Sequence, residues 1–329
     1  MENNKIKIVF MGTPEFGAII LDGLTNGGYK PFLVVTAPDK SVGRKQIKTG
    51  EVTHPPVKVI AQKYNIPVIQ PEILANSKSE ILNSKPDLIV VAAYGQILPK
   101  EILEIPKYDC LNVHPSLLPK YRGASPIQYA ILNGDKKTGV TIILMDEKMD
   151  HGPILNQRAI LIEEKETAAT LHDKLAELGT NLLGETISKW TRGMIKPQPQ
   201  DDTKATFTKI LTREDGKINW KKTAEVLERE IRAYLPWPGS YTFWAKAGKL
   251  VQIKILKTRV LKSQGGISYP VGKTLVVPQN ELGVQCGKGF SMGVGDFLVI
   301  ERLQMEGGKE MSSEEFLRGH PDFIGTILK

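Results

Sequence analysis

The chain has 329 residues, with 44 Lys and Arg against 36 Asp and Glu, and this length accommodates two domains with cores of their own. Its composition, 41% hydrophobic and 24% charged, is ordinary for a soluble globular protein, and no apolar run approaches the roughly 20 residues of a membrane-spanning helix. The N-terminal residues lack a signal-peptide pattern, and the two cysteines, Cys110 and Cys286, have no CxxC spacing, which excludes a disulfide framework and favours a reducing cytoplasmic setting.

Apolar runs that alternate with helical patterns predict an α/β first domain built on a Rossmann-like sheet. Strands are predicted at Lys5–Met11, Phe32–Ala37, Pro67–Ile69, Asp87–Ala93, Cys110–His114, Val140–Met145 and Ile154–Ile162. Helices are predicted at Pro14–Thr25, Pro56–Tyr64, Lys78–Asn83, Pro99–Leu103, Pro126–Leu132 and Thr167–Trp190.

The first strand is followed by Gly12 and Thr13, and we expect Thr13 to cap the helix that begins at Pro14. A strand, a glycine and a helix in this order are typical of dinucleotide-binding folds. The chain lacks the GxGxxG pattern, however, and no acidic residue ends the next strand. We therefore interpret Gly12 as a position of close backbone packing and expect no NAD site.

A second domain is predicted beyond a linker at Gly193–Thr208, which is rich in proline and charge. After a helix at Thr223–Tyr234 and a rigid Pro-rich turn, the chain forms several short apolar runs separated by Gly and Pro, which predict a small OB-like β-barrel. The runs are Ser240–Trp244, Leu250–Val260, Lys273–Val277, Gly283–Cys286 and Phe297–Leu303. The predicted division is 1–192, a linker at 193–208, and 209–329.

The net charge of +8 is concentrated in the second half of the chain. Residues 231–280 contain no acidic side chain but eight basic ones, namely Arg232, Lys246, Lys249, Lys254, Lys257, Arg259, Lys262 and Lys273. Such an imbalance is often only a solvated surface. Sustained over this length, it also suggests a binding surface for a polyanion.

Three polar residues are candidates for chemistry. Asn112 and His114 are two residues apart in a predicted strand, so their side chains point to one face. Asp150 follows the next predicted strand, and we expect the two strands to bring all three groups together at their carboxyl ends. An amide donor, an imidazole and a carboxylate suit acyl transfer to an amine. The alternative is a turn cap beside an ordinary surface histidine.

The segments NVHPSLLPKYRGASPIQ and TGVTIILMDEKMDHGPIL resemble the folate-dependent formyltransferases. In that family an Asn, a His and an Asp are catalytic, and they match Asn112, His114 and Asp150. The resemblance also implies a folate-binding loop at Ser116, Leu117, Leu118 and Pro119, and it places the pterin near the turn that begins with Tyr94 and Gly95.

Three further stretches, VFMGTPEFG, AYGQILPKEIL and IRAYLPWPGS, resemble the members that formylate an amino acid carried by tRNA. The implied reaction transfers a formyl group from 10-formyltetrahydrofolate to the α-amino group of methionine on initiator tRNA. In such members an insertion bearing an arginine engages the acceptor end, and Arg44, beside Lys45 in the polar loop Pro38–Pro56, matches it. A flexible, solvated loop is the alternative. In the second domain we expect Lys254 and Lys257 to contact tRNA.

The resemblance implies that Asn112 and a protonated His114 stabilise a tetrahedral oxyanion while Asp150 orients the imidazole. No metal site is expected, because His114 and His151 lack further ligands at metal-site spacing. A monomer is expected, with no membrane partner.

Other functions stay open on the sequence. The acceptor could be a small amine such as glycinamide ribonucleotide or an amino sugar, and Pro115 after His114 is usual in those relatives. The same three residues could serve a formyl-folate hydrolase. A catalytically idle RNA-binding protein is the alternative from a different class.

Overall fold

The structure is a computed structural model, and it describes residues 6–41, 52–263, 269–288 and 295–329. The chain forms two compact units. The first comprises Met1–Pro126, Lys137–Leu161 and Leu171–Lys209, and the second comprises Ile127–Lys136, Ile162–Thr170 and Ile210–Lys329.

The first unit is built on a seven-stranded sheet of the Rossmann-like kind, with strand order β10-β9-β7-β6-β1-β2-β5. Two-stranded pairs, β3 with β4 and β8 with β11, lie outside it. The strands are β1 (Ile8–Gly12), β2 (Leu33–Val35), β3 (Lys40–Ser41), β4 (Val52–Thr53), β5 (Val68–Ile69), β6 (Leu88–Ala92), β7 (Cys110–His114), β8 (Arg122–Gly123), β9 (Lys137–Leu144), β10 (Ile154–Leu161) and β11 (Phe207–Thr208).

Eight α-helices are formed by the described residues. They are α1 (Glu15–Asn26), α2 (Pro56–Lys63), α3 (Lys78–Ser84), α4 (Lys100–Leu103), α5 (Pro126–Leu132), α6 (Ala168–Trp190), α7 (Ala224–Ala233) and α8 (Ser313–Gly319). Within this described part of the chain, no helix is both long enough and apolar enough to cross a membrane.

The direction of β9 corrects one expectation from the sequence. β1, β2, β5, β6 and β7 run parallel, but β9 pairs antiparallel with β7, with His114 opposite Thr141 and Leu111 opposite Leu144. The carboxyl end of β9 therefore lies beside the amino end of β7. Two carboxyl ends do not meet there, and the loop after β9 must turn back to reach the other end of β7.

The turn from β1 to α1 confirms one interpretation and corrects another. A Cβ atom built on Gly12 would lie 2.7 Å from the carbonyl oxygen of Ala92, so the backbones of β1 and β6 approach closely there. Thr13 is not the helix cap, because Pro14 occupies the N-cap position without a side-chain hydrogen bond. The Thr13 hydroxyl instead donates to the Tyr94 carbonyl at 3.2 Å and ties the ends of two strands together.

The segment 193–208, which composition indicates as a linker, is bonded to the rest of the first unit. Phe207 and Thr208 pair with Arg122 and Gly123 as β11 and β8. The Thr206 hydroxyl accepts from the Tyr121 amide at 2.8 Å. Gln198 also exchanges backbone hydrogen bonds with Ile154, so this polar segment is held to the first unit at several points.

The second unit carries a six-stranded antiparallel sheet of order β12-β13-β16-β15-β14, with β17 paired to β16. Its strands are β12 (Ser240–Lys246), β13 (Lys249–Leu261), β14 (Thr274–Val277), β15 (Glu281–Gln285), β16 (Phe297–Met305) and β17 (Glu310–Ser312). Register shifts in β13 on both sides of Lys257 curl the sheet. Among the described residues no ladder joins β12 to β14.

Aromatic side chains fill the core of this second unit. Trp244 packs edge-on against Phe316 and Phe323, with ring centroids 6.1 and 5.1 Å apart, and all three side chains are buried. Thr223 caps α7 by accepting from the Val226 amide. The buried side chains of α7 and of the sheet belong to the same cluster.

The close approach at Gly12 yields a stability prediction. Gly12→Ala should lower the free energy of unfolding by about 1–3 kcal/mol, the usual cost of overpacking, because the new methyl group meets the backbone of Ala92. The matched control is Gly184→Ala on α6, where an added Cβ meets no atom within 4 Å. It should be neutral or stabilising by up to about 1 kcal/mol, since alanine favours a helix. Chemical denaturation of both variants measures the difference. Equal stabilities would contradict this account of Gly12.

Candidate active site

Asn112 and His114 lie on β7, the strand that the sheet buries between β6 and β9. Asn112 is opposite Val91 on one side and Ile143 on the other. Because the two side chains are two residues apart in a strand, they share one face. His114 is 4% exposed, so its imidazole is largely shielded from water.

Asp150 reaches these side chains from the loop between β9 and β10. Its Oδ1 atom accepts from the Asn112 amide at 3.2 Å and lies 3.5 Å from His114 Nδ1. Its Oδ2 atom accepts from the Gly123 backbone amide at 2.8 Å. The structure therefore brings together the three residues singled out in the sequence, although the loop arrives from the direction opposite to the one expected.

Both ring nitrogens of His114 face oxygen atoms. Nε2 lies 3.0 Å from the carbonyl oxygen of Tyr121, which only accepts, so Nε2 carries a proton. Nδ1 faces the Asp150 carboxylate, and a proton there converts the ring into an imidazolium that donates on both sides. At 3.5 Å, the contact between Nδ1 and the Asp150 carboxylate is longer than an ordinary hydrogen bond.

The loop Ser116–Pro119 follows β7 and is held by one hydroxyl group. Thr141 on β9 donates its hydroxyl proton to the Ser116 carbonyl at 2.6 Å and accepts from the Leu118 amide at 3.1 Å. The Gln157 side chain donates both to this hydroxyl and to the Leu118 carbonyl. The segment that the resemblance implies for folate is thus fixed by β9 and β10.

Tyr94 and Gly95 follow β6, the neighbour of β7. The Tyr94 side chain is 5% exposed, and among the described residues its hydroxyl has no hydrogen-bond partner. Burial raises the pKa of this hydroxyl to about 12, so it is a proton donor at neutral pH. Gly95 has a φ of +87°, and nothing lies within 4 Å of the position that a side chain would occupy.

Of the four residues predicted to contact tRNA, the structure describes two. Arg44 and Lys45 lie outside the residues that the structure describes. Lys254 and Lys257 are exposed on β13. Lys257 forms an ion pair with Glu301 at 2.8 Å, whereas Lys254 forms none within the described part of the chain.

Several other basic side chains of the acid-free window are also paired. Their carboxylate partners come from outside it, on α7, β15 and the residue before β16. The pairs are Arg232 with Glu228, Arg259 with Glu281, and Lys262 with Glu225 and Asp296. The surplus of positive charge along the sequence is therefore partly neutralised in the fold.

Sequence reasoning missed three residues that shape this region. Thr141 has a detectable signal, since it is the one polar residue in the apolar run Val140–Met145 that predicts the strand. Gly123 contacts Asp150 only through its backbone amide, and Gln200, which donates to the Asp150 carbonyl, lies fifty residues further along the chain in a polar segment. No local sequence pattern indicates either of these two contacts.

Metal binding has no support in the part of the chain that the structure describes. No group of three or more His, Cys, Asp or Glu side chains there is placed to hold an ion. Both cysteines are buried free thiols.

Comparison with known proteins bears directly on this arrangement. A family model described as "Formyl transferase" matches residues 5–187, more than half of the chain. The chain belongs to the formyltransferase family. A second model, "Formyl transferase, C-terminal domain", matches residues 210–321, so it begins where the last segment of the second unit begins.

Full-length relatives of this formyltransferase are closely similar. A protein of Caldanaerobacter subterraneus subsp. tengcongensis, named methionyl-tRNA formyltransferase, is 46% identical over 327 residues, covering 98% of this chain and 100% of the relative. One of Bacillus cytotoxicus, with the same name, is 45% identical over 329 residues and covers 98% of each chain.

Solved structures share the formyltransferase fold at lower identity. An N-formyltransferase from Helicobacter canadensis, in complex with folinic acid and dTDP-3-aminofucose, is 20% identical with a TM-score of 0.63 over 90% of this chain and 98% of that one. HypX from Aquifex aeolicus, in complex with tetrahydrofolic acid, is 16% identical with a TM-score of 0.59 over 97% of this chain and 47% of that one. At these identities the likeness concerns the fold alone.

The buried cysteines give a prediction with a defined pH dependence. Burial, with a smaller contribution from the Asp109 charge, raises the pKa of the Cys110 thiol above its usual range, and burial raises that of Cys286 to about 12. The folded protein should therefore resist iodoacetamide at pH 8, read out by mass spectrometry, and keep its transferase activity. In denaturant both thiols should react.

The same shifts should make stability depend on pH. A thiol whose pKa is raised by folding stabilises the protein fully below the unfolded pKa of about 8.5, and this contribution declines as the pH rises above it. Rapid alkylation of native Cys110 would contradict the burial on which this prediction depends.

Proposed function

We propose that this formyltransferase transfers the formyl group of 10-formyltetrahydrofolate to the α-amino group of methionine on initiator tRNA. Full-length identity of 42–46% to proteins named methionyl-tRNA formyltransferase supports the acceptor. The observation that supports the chemistry is the contact of Asp150 with both Asn112 and His114.

The residues at the carboxyl ends of β6 and β7 fit a folate. The Tyr94 hydroxyl is a buried donor without a partner among the described residues, and a side chain at Gly95 would meet no atom within 4 Å. We assign folate binding to these two residues and to the loop Ser116–Pro119, whose backbone Thr141 holds rigid. The structures of HypX and of the Helicobacter canadensis enzyme, which contain folates, have the same fold.

In the proposed mechanism, the chain acts on a formyl-folate that supplies an electrophilic carbon and a leaving nitrogen. The amino group of the acceptor attacks that carbon. One Asn112 amide hydrogen is used on Asp150, and the other is left to donate to the developing oxyanion. Protonated His114 donates from Nδ1, and the Asp150 carboxylate orients it and accepts the proton of the amine through a water molecule. When the tetrahedral intermediate collapses, the bond between the formyl carbon and the leaving nitrogen breaks, and that nitrogen takes up the same proton from Asp150 through the water and departs as a neutral amine.

The second unit is proposed as an OB-like platform for the tRNA. Its exposed cations on β13 suit a phosphate backbone, with Lys254 left unpaired by the described residues. The loop Pro38–Pro56 is proposed to engage the acceptor end through Arg44 and Lys45.

One assay distinguishes the acceptors. Purified enzyme is incubated with 10-formyltetrahydrofolate and with charged initiator tRNA, glycinamide ribonucleotide or a nucleotide-linked amino sugar in parallel. Formylation of the tRNA at a kcat/KM at least 100-fold above that of either small amine is expected. A higher kcat/KM for a small amine would show that the proposed acceptor is wrong. Release of formate without formylation of any acceptor would indicate a hydrolase.

The proposed catalytic roles lead to a prediction for three variants. His114→Ala and Asn112→Ala should each lower kcat by roughly 10²–10⁴, the usual effect of losing an acid–base group or an oxyanion donor. Asp150→Asn should have a comparable effect, because it removes the charge that supports the imidazolium. Steady-state kinetics with charged tRNA measure all three.

The control for these variants is His172→Ala, because the contacts of His172 are an ion pair with its neighbour Asp173 and an edge-on contact with Phe16, and neither involves the three residues. It should keep kcat within twofold. Thermal unfolding of every variant should match the parent to within a few degrees. Near-normal turnover in the three variants would eliminate the mechanism.

Lys254 and Lys257, both exposed on β13, make a matched pair for tRNA binding. Lys254→Gln should reduce the slope of log Kd against log salt by about one unit, since its charge is free to replace a counterion on the phosphate backbone. Lys257→Gln should leave the slope nearly unchanged, because Glu301 already neutralises Lys257. Filter binding over a salt series, with folate affinity as the control, checks both. Equal slope changes would contradict this assignment.

A further inference from the structure

Gln200 contacts the loop of Asp150 from a distant part of the chain. It lies beyond the first family match and outside the strands of the seven-stranded sheet. Its side-chain nitrogen donates to the backbone carbonyl groups of Asp150 and of Gly152, each at 2.8 Å. One amide group therefore fixes the loop on both sides of residue 151.

This loop needs to be held from outside. Asp150 has a φ of +50°, in the left-handed region that residues other than glycine rarely adopt unless their surroundings impose it. A Cβ on Gly152 would lie 1.8 Å from the Leu144 carbonyl oxygen, so the chain passes too close there for any other residue. The carboxylate position thus depends on a tight and strained backbone path.

The orientation of the Gln200 amide is itself determined. Its oxygen accepts from Arg122 Nε at 3.1 Å and Nη2 at 2.9 Å. A guanidinium group only donates, so the amide cannot flip without placing its nitrogen against another donor. Arg122 is 4% exposed and also donates to Asp202 at 2.7 Å. The Arg122 hydrogen bond in turn holds the pKa of Asp202 below its usual value.

Arg122 also adjoins the residue that holds the Asp150 carboxylate. The next residue, Gly123, donates its backbone amide to Asp150 Oδ2. The backbone of Asp150 is therefore held through Gln200, and its carboxylate through the residue adjacent to Arg122. The Arg122 side chain orients Gln200, and the Arg122 backbone leads directly into the residue that holds the carboxylate.

We propose that Gln200 is a positioning residue for formyl transfer, which holds the Asp150 loop so that the carboxylate reaches Asn112 and His114. The inference rests on the role given to Asp150 in the proposed function. Gln200 touches neither substrate in this account and acts only through the Asp150 backbone. Because small misplacements of a reacting group can reduce rates by up to about 10²-fold, the contribution is measurable in kcat.

The test uses two variants of the full-length enzyme. Gln200→Glu keeps the size and the acceptor for Arg122 but places an oxygen against two carbonyl oxygens. Gln200→Met removes the donor without adding charge. Each should lower kcat by about 10–100-fold, with KM for tRNA and for the formyl-folate within about threefold of the parent.

The matched control is Gln198→Glu, in the same segment. Gln198 is exposed, and its side chain donates only to the Lys196 carbonyl at 3.4 Å. This variant carries the same charge change and should keep kcat within about twofold. A kcat loss in Gln198→Glu as large as in Gln200→Glu would attribute the effect to charge and overturn the inference.

A double-mutant cycle separates positioning from a structural role. In an Asp150→Asn background, either Gln200 substitution should lower kcat by less than about threefold, because the group it positions is already disabled. A structural role would instead lower the fraction of active enzyme and the Tm, and the losses would multiply. Unchanged kcat in both Gln200 variants, or a full loss in the Asp150→Asn background, would overturn the inference. If Asp150→Asn alone keeps full kcat, the proposed catalytic role of Asp150 fails, and the inference fails with it.

Discussion

The carboxylate of Asp150 is the group on which the candidate site depends. A carboxylate only accepts hydrogen bonds, so its two oxygens can gather donors from separate segments of the chain. Here they gather the Asn112 amide, His114 Nδ1 and the Gly123 backbone amide. Strand β7, the turn after it and the loop after β9 must all be in place before these contacts form. The site is therefore a property of the folded first unit and not of any one motif.

Strand β9 serves both parts of the site because it runs antiparallel to β7. Its Thr141 side chain fixes the loop Ser116–Pro119, and the loop after it carries Asp150 back to β7. The proposed folate segment and the proposed catalytic carboxylate are thus attached to the same strand. A displacement of β9 relative to β7 would therefore change both together.

The sequence predicts the parts of this arrangement that depend on short-range geometry. Asn112 and His114 share a face because side chains alternate along any strand. Gly12 is predicted as a site of close packing because a glycine at a strand-to-helix turn lets another backbone segment approach. The direction of β9 does not follow from its apolar run, since a buried strand looks alike in either orientation. Thr13 fits a cap by composition, but its hydroxyl bonds to the neighbouring strand. Similarly, a window without acidic residues does not reveal that Glu301 on β16 neutralises Lys257 on β13. The missing information in each case is which distant segment becomes a neighbour.

The attachment of residues 193–208 to the first unit has a consequence for dissecting the chain. A fragment that ends at residue 187, where the first family match ends, retains Asn112, His114 and Asp150. It lacks Gln200 and Asp202, and so it leaves the buried Arg122 guanidinium without the two partners described above. Uncompensated charge in a protein interior is strongly unfavourable. A fragment that keeps these two partners of Arg122 therefore has to extend at least through residue 202, beyond the boundary that family similarity marks.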